Sequence, residues 1–185
     1  MGERVYWIDE GVMPDITPNN AHWLIYMFVS GFLGKDDLVL DVGCGSGGGA
    51  TILAKKCLQV HAFDYSQEAI EFARTRNARG NIEYSILNMK DFNPDLNRYD
   101  KVIAIECVEH FEDPTKEIKK FLKTLKPGGL LIMTFPVNSG TEGFHKTNFT
   151  KENIHSYLEG MAPTIRYLTA GDPPQSQNFF IMVRK

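Results

Sequence analysis

The sequence predicts an α/β protein: a doubly wound, mostly parallel sheet of seven strands that ends in an antiparallel hairpin. Three observations carry this prediction. Strand, helix and strand patterns alternate five times between residues 38 and 135. The strand patterns are short apolar runs such as LVLDV (38–42) and LLIMTF (130–135), as suits strands covered on both faces. After Phe135 two further strand-like runs are joined by GDPPQSQ, seven residues rich in turn formers and too short for a right-handed parallel crossover.

Each element has a local signal. Thr17 before Pro18 reads as a helix cap, opening a helix to about Ser30 that Gly31 and Gly34 close. Trp23, Leu24, Met27 and Phe28 follow helical spacing and are expected to pack on the sheet. LVLDV is the first strand; a glycine-rich turn then leads into a helix ending near Cys57, and QVHAFD (59–64) is the second strand. Ser66 caps a helix with Glu68 in its first turn, where a carboxylate meets the positive end of the dipole. The third strand covers about 82–87 and the fourth is DKVIAIE (100–106). Asp113 with Pro114 starts a helix that Lys126-Pro127-Gly128-Gly129 is expected to stop before the fifth strand. A loop of about a dozen residues, a helix near 150–158, and strands at about 164–169 and 178–183 complete the chain.

Composition narrows the class. The 185 residues fit one domain: a cap segment and helix over 1–34, a ligand-binding core over 35–135, and a lid loop, helix and hairpin over 136–185. Lys plus Arg total 20 against 23 Asp plus Glu, so a nucleic-acid partner would have to be held locally and not by a general basic excess. The odd and scattered Cys44, Cys57 and Cys107 form no CxxC pair and read as reduced thiols, which with the absence of a signal-peptide pattern points to the cytoplasm. The longest apolar stretch, 23–29, is far below the roughly 20 residues of a membrane span.

Residues 39–50 read VLDVGCGSGGGA. Gly43, Gly45 and Gly48 satisfy GxGxxG directly after a strand, with Asp64 at the end of the next, which by itself suggests a dinucleotide site. Asp41 argues otherwise, because a carboxylate two residues ahead of the turn would repel a pyrophosphate. It suits a ligand carrying a positive ammonium. DVGCGSG, FDYS, ILNMKDF, YDKVIAIECVEHFEDP and LKPGGLLIMTFP, in that order, resemble the class I S-adenosylmethionine-dependent methyltransferases, whose sheet is Rossmann-like. The resemblance implies that Gly43, Cys44 and Gly45 bring backbone to the methionine moiety and that Asp41 lies near its ammonium. It further implies that Asp64 accepts the ribose hydroxyls, that Tyr65 packs on the adenine, and that Asn88 and Met89 meet the adenine edge. Asn88 departs from the family's usual Asp, although its carbonyl can accept the same bond. Glu106 would meet the cofactor through its backbone.

Glu106, Glu109 and His110 stand at i, i+3 and i+4, so a helical turn past the fourth strand would put them on one face. Crowded carboxylates without a cation raise one another's pKa, a conflict that a divalent metal removes. His145 lies in a loop that could lean over the same pocket. The pattern ExxEH followed by a histidine five residues ahead of Thr150 is similar to two methyltransferase groups. These are the small-RNA 2′-O-methyltransferases, which use Glu, Glu, His and His for a divalent cation on a ribose diol, and the ubiquinone-pathway O-methyltransferases, whose EH segment also binds a metal beside a catechol. Implied ligands are Glu106, Glu109, His110 and His145, with Mg²⁺ or Mn²⁺ as the cation, and implied catalytic residues are His110, Glu109 and His145. A metal-free site with His110 as base, and a non-catalytic cofactor-binding partner subunit, are the alternatives. The expected acceptor is a hydroxyl on a small molecule or sugar, with an RNA 3′ end left open and no membrane partner. Tyr6–Met13 would cover the cofactor.

Overall fold

The computed structural model describes residues 21–137, 145–161, 163–170 and 176–185. The caps expected at Thr17 and Pro18, the cover expected from Tyr6–Met13, and the middle of the loop after Phe135 lie outside the described residues. Among those described, seven strands form one sheet in the order β3-β2-β1-β4-β5-β7-β6. The chain divides into two compact units, Met1–Phe92 and Asn93–Lys185.

The first unit contains α1 (Ala21–Ser30), β1 (Leu38–Val42), α2 (Gly48–Leu53), β2 (Gln59–Asp64), α3 (Gln67–Arg76) and β3 (Ile82–Ile86). Its strands are parallel, with Asp41 beside Ala62 and Asp64 beside Ile86. Ser66 caps α3 as expected, accepting from the Ala69 amide at 3.3 Å. Helix α2 stops at Leu53, short of the Cys57 expected. The Asn81 amide donates to the Ala54 carbonyl at 2.8 Å, taking an acceptor that would otherwise continue the helix. The packing of α1 also differs from expectation. Leu24, Met27 and Phe28 are 43%, 44% and 53% exposed, while Ile25, Tyr26 and Val29 are buried. The helix carries two overlapping apolar stripes, and the one that faces inward is the one whose tyrosine finds a hydrogen-bond acceptor.

The second unit contains β4 (Tyr99–Ile105), α4 (Pro114–Thr124), β5 (Leu125–Pro136), α5 (Ile154–Tyr157), β6 (Pro163–Ala170) and β7 (Ser176–Arg184). Strands β4 and β5 are parallel, and β5-β7-β6 run antiparallel, so the hairpin expected at the end of the chain is present. Asp113 caps α4, accepting from the Lys116 amide at 2.9 Å. This helix ends at Thr124, and Leu125 is already extended. The Lys126–Gly129 segment is a bulge within β5, where Gly128 takes φ 78°, not the turn ahead of the strand. Lys185 Nζ donates to the carbonyls of Lys123 and Leu125 and satisfies the helix end. The late helix is shorter than expected, because Thr150 and Asn153 hold the preceding residues in side-chain-bonded turns.

Candidate active site

In the first unit, β1 leads into three residues with positive φ: Gly43 at 69°, Gly45 at 52° and Gly47 at 82°. Only glycine takes this path without strain. Gly47 has a second reason, since a Cβ there would lie 2.5 Å from the Tyr84 hydroxyl. Gly43 and Cys44 both donate their amides to the Phe63 carbonyl, at 2.9 and 3.0 Å. Space around a Cβ built on Gly45 is open, with no described atom within 4 Å. Backbone amides of Gly45 and Ser66 donate to Asp64 Oδ2 and Oδ1 at 3.0 and 2.9 Å, fixing that carboxylate while leaving one lone pair on each oxygen.

Asp41 is fully buried. Its Oδ1 accepts from the Tyr26 hydroxyl at 3.0 Å, and among the described residues nothing donates to Oδ2. Burial first, and the Asp64 charge second, push its pKa up to about 7 against the pull of the Tyr26 bond. An orphaned carboxylate oxygen at the glycine turn fits a ligand with an ammonium group. Tyr65 is 75% exposed, a ring offered to a planar partner. Asn88 is exposed and its Oδ1 accepts from the Lys90 amide at 3.0 Å, with a second lone pair remaining. Met89 opens a short 3₁₀ turn. Cys44 is buried, and its thiol is pushed well above the usual range by burial and by the Asp41 and Asp64 charges, so it stays protonated.

In the second unit, β4 ends at Ile105 and the next residue, Glu106, takes φ 49°. That left-handed residue is not part of a helical turn; the turn that follows is 3₁₀ and covers only Val108–His110. The i, i+3, i+4 face expected for Glu106, Glu109 and His110 therefore does not form as a helix. Glu106 Oε1 accepts from Thr134 at 2.7 Å and from Asn178 at 3.2 Å, and burial lifts its pKa to about 7.

Glu109, His110 and His145 do come together: one ligand atom from each lies within 4.8 Å of the others. Glu106 is not in this group. Loop anchoring places His145, because the Glu109 carbonyl accepts the amides of Lys146 and Thr147 at 2.8 and 3.1 Å. Phe149, fully buried, packs against Phe135 and Tyr157 with ring centroids 4.1 and 4.9 Å away, which pins the same segment. The two imidazoles are 5.1 Å apart between centroids. Glu109 is 2% exposed, its Oε1 lies 4.0 Å from His110 Nε2, and no described group donates to Oε2. Burial and the Glu106 charge raise its pKa well above the carboxylate range.

Sequence reasoning missed Tyr26, Gly47, Tyr84, Thr134 and Asn178. Positive φ at Gly47 and the hydroxyl bonds of Tyr26 and Tyr84 leave no trace in a motif. The run SGGG does carry more glycines than the pattern GxGxxG requires, and that surplus was the available signal.

The glycine turn, with Asp41 just ahead of it and Asp64 at the end of the next strand, and the order of the strands define a class I S-adenosylmethionine-dependent methyltransferase. A model of the methyltransferase domain matches residues 40–133, about half the chain, and the protein belongs to that family. Among curated relatives, ubiquinone biosynthesis O-methyltransferase of Coxiella burnetii is 29% identical over 140 residues, covering 70% of this chain and 59% of the relative. The enzyme of the same name from Rickettsia bellii is 27% identical over 168 residues, covering 85% of this chain and 69% of its own length. The chain thus spans a little under three fifths of the Coxiella relative it matches. A solved S-adenosylmethionine-dependent methyltransferase of Mesorhizobium loti shares the fold at a TM-score of 0.77 and 14% identity, covering 91% of this chain and 100% of that one. No described helix is long and apolar enough to cross a membrane.

Proposed function

We propose that this chain transfers a methyl group from S-adenosylmethionine to a hydroxyl oxygen of a small-molecule or sugar acceptor. In this reading Glu109, His110 and His145 would hold a divalent cation, and the acceptor would be one with two neighbouring hydroxyls. The observation that carries it is Glu109 Oε2, buried and without a donor among the described residues, beside two imidazoles. A carboxylate in that position is costly unless a cation accompanies the ligand. The O-methyltransferase relatives support oxygen as the acceptor atom.

S-adenosylmethionine supplies an activated methyl: its S–CH₃ bond breaks as the O–CH₃ bond forms, the hydroxyl gives up its proton to water or, in a site without metal, to His110, and S-adenosylhomocysteine leaves. Asp41 Oδ2 receives the ammonium, the spare lone pairs of Asp64 accept the ribose hydroxyls, and the Tyr65 ring stacks on the adenine. A divalent cation supplies Lewis acidity to the acceptor hydroxyl. With Glu106 bonded elsewhere, the ligand set is one carboxylate and two imidazoles. That set suits Mn²⁺ or Fe²⁺ better than Mg²⁺, which prefers oxygen alone.

One distance favours a second reading. Glu109 Oε1, 4.0 Å from His110 Nε2, could stabilise an imidazolium. His110 would then take the hydroxyl proton itself, with no metal.

The experiment that separates the two is calorimetric titration of Mn²⁺ and Mg²⁺ into protein loaded with S-adenosylhomocysteine, with Glu109→Ala and His145→Ala alongside. Saturable Mn²⁺ binding lost in both variants is the expected result. Absence of saturable binding retires the metal and leaves His110→Ala as the variant that should abolish transfer. Failure of the wild type to bind S-adenosylhomocysteine would sink both readings.

A further inference from the structure

We infer that Tyr26 is a positioning residue for the methyl donor, its hydroxyl holding one oxygen of Asp41 so that the other is presented to the donor's ammonium. The inference rests on the reading of Asp41 given above and extends it to a residue of α1 that no motif marks.

Four observations converge on Tyr26. The Tyr26 hydroxyl donates to Asp41 Oδ1 at 3.0 Å, and both side chains are buried. A carboxylate held at one oxygen cannot rotate about its Cβ–Cγ bond without losing that hydrogen bond, so the direction of Oδ2, which has no donor among the described residues, is set by Tyr26. The tyrosine ring is itself seated without slack, since a Cβ on Gly49 would come within 2.3 Å of Tyr26 Cζ. That glycine lies in α2, in the first turn after the glycine loop, so the loop and the ring depend on each other. Finally, α1 turns Tyr26 inward while leaving Leu24, Met27 and Phe28 substantially exposed. Packing alone would favour an apolar side chain at that place, because a buried hydroxyl is costly unless it is bonded.

A bond that merely satisfied a buried carboxylate would be structural, and the choice of ligand separates the two roles. S-adenosylhomocysteine carries the amino-acid ammonium; 5′-methylthioadenosine has the same nucleoside and lacks it. Tyr26→Phe keeps the ring over Gly49 and removes only the hydroxyl. Titration calorimetry of both ligands into wild type and Tyr26→Phe should show roughly a tenfold loss of affinity for S-adenosylhomocysteine and none for methylthioadenosine. Equal losses for both ligands, or unchanged affinity for S-adenosylhomocysteine, would overturn the inference. The wild type binding both ligands equally well would instead overturn the reading of Asp41, which is a separate result. Should Tyr26→Phe fail to fold, Tyr26→Leu removes the hydroxyl with a smaller apolar side chain and is expected to give the same selective loss. An unselective loss in that variant counts against the positioning role.

Discussion

Asp41→Asn tests whether the Asp41 site is built for a ligand at the expense of the empty protein. Asp41 is fully buried, and its pKa stands at about 7 in the folded chain against an ordinary 3.8. Between those values the folded state keeps a proton that the unfolded state has released. Stability is therefore greatest below the lower value, falls as pH rises through the interval, and levels off above the upper one. From about pH 5 to about pH 8 the loss from this group alone is roughly 3 kcal/mol, at about 1.4 kcal/mol for each pKa unit. Asparagine is close in shape, can still accept from Tyr26 through Oδ1, and carries no charge to bury. Denaturant unfolding of ligand-free protein over that pH range should show Asp41→Asn gaining on wild type as pH rises, by up to about 3 kcal/mol. Its affinity for S-adenosylhomocysteine should fall further behind that of wild type over the same range, because only wild type gains a negative charge for the ammonium as Asp41 ionises. Among the described residues the titratable groups that interact with Asp41 are Tyr26, Asp64, Cys44 and Tyr84, and all remain in the variant. Glu106 and Glu109 also have raised values and tilt both curves, so the difference between the two proteins is the quantity to read. Parallel curves, or an Asp41→Asn protein that is less stable at the alkaline end, would refute the reasoning.

Three further outcomes follow from packing. Gly47→Ala forces a side chain into a left-handed position at φ 82° and against the Tyr84 hydroxyl, so it should cost roughly 2–4 kcal/mol and weaken S-adenosylhomocysteine binding in calorimetry. Phe149→Ala empties a fully buried site between Phe135 and Tyr157. It should lower stability by about 3–5 kcal/mol and weaken Mn²⁺ binding more than S-adenosylhomocysteine binding, because it releases the segment that carries His145. Asn81→Ala removes the donor to the Ala54 carbonyl and should cost about 1–2 kcal/mol in thermal unfolding while leaving ligand affinity unchanged.

Much of this protein was legible before any coordinates. Alternating apolar runs and helix caps located the strands and α3 and α4, because burial on both faces and unsatisfied helix ends are local demands written into neighbouring residues. The terminal hairpin followed from a connection too short for any parallel crossover. The glycine turn with Asp41 and Asp64 was equally readable, since positive φ and a fixed spacing leave few other sequences available. The tertiary structure decided what depends on residues far apart in the chain. Which of two apolar stripes α1 would bury was settled by Asp41 and Gly49, which meet Tyr26 from outside the helix. Glu106 was expected to join Glu109 and His110 through helical spacing, but a left-handed residue at the strand end turned it toward Thr134 and Asn178. His145, thirty-five positions beyond His110, reached it because the Glu109 carbonyl accepts two amides from the loop. Spacing along a chain predicts a shared face only while the backbone repeats. Where the repeat breaks, hydrogen bonds between distant segments determine which side chains meet.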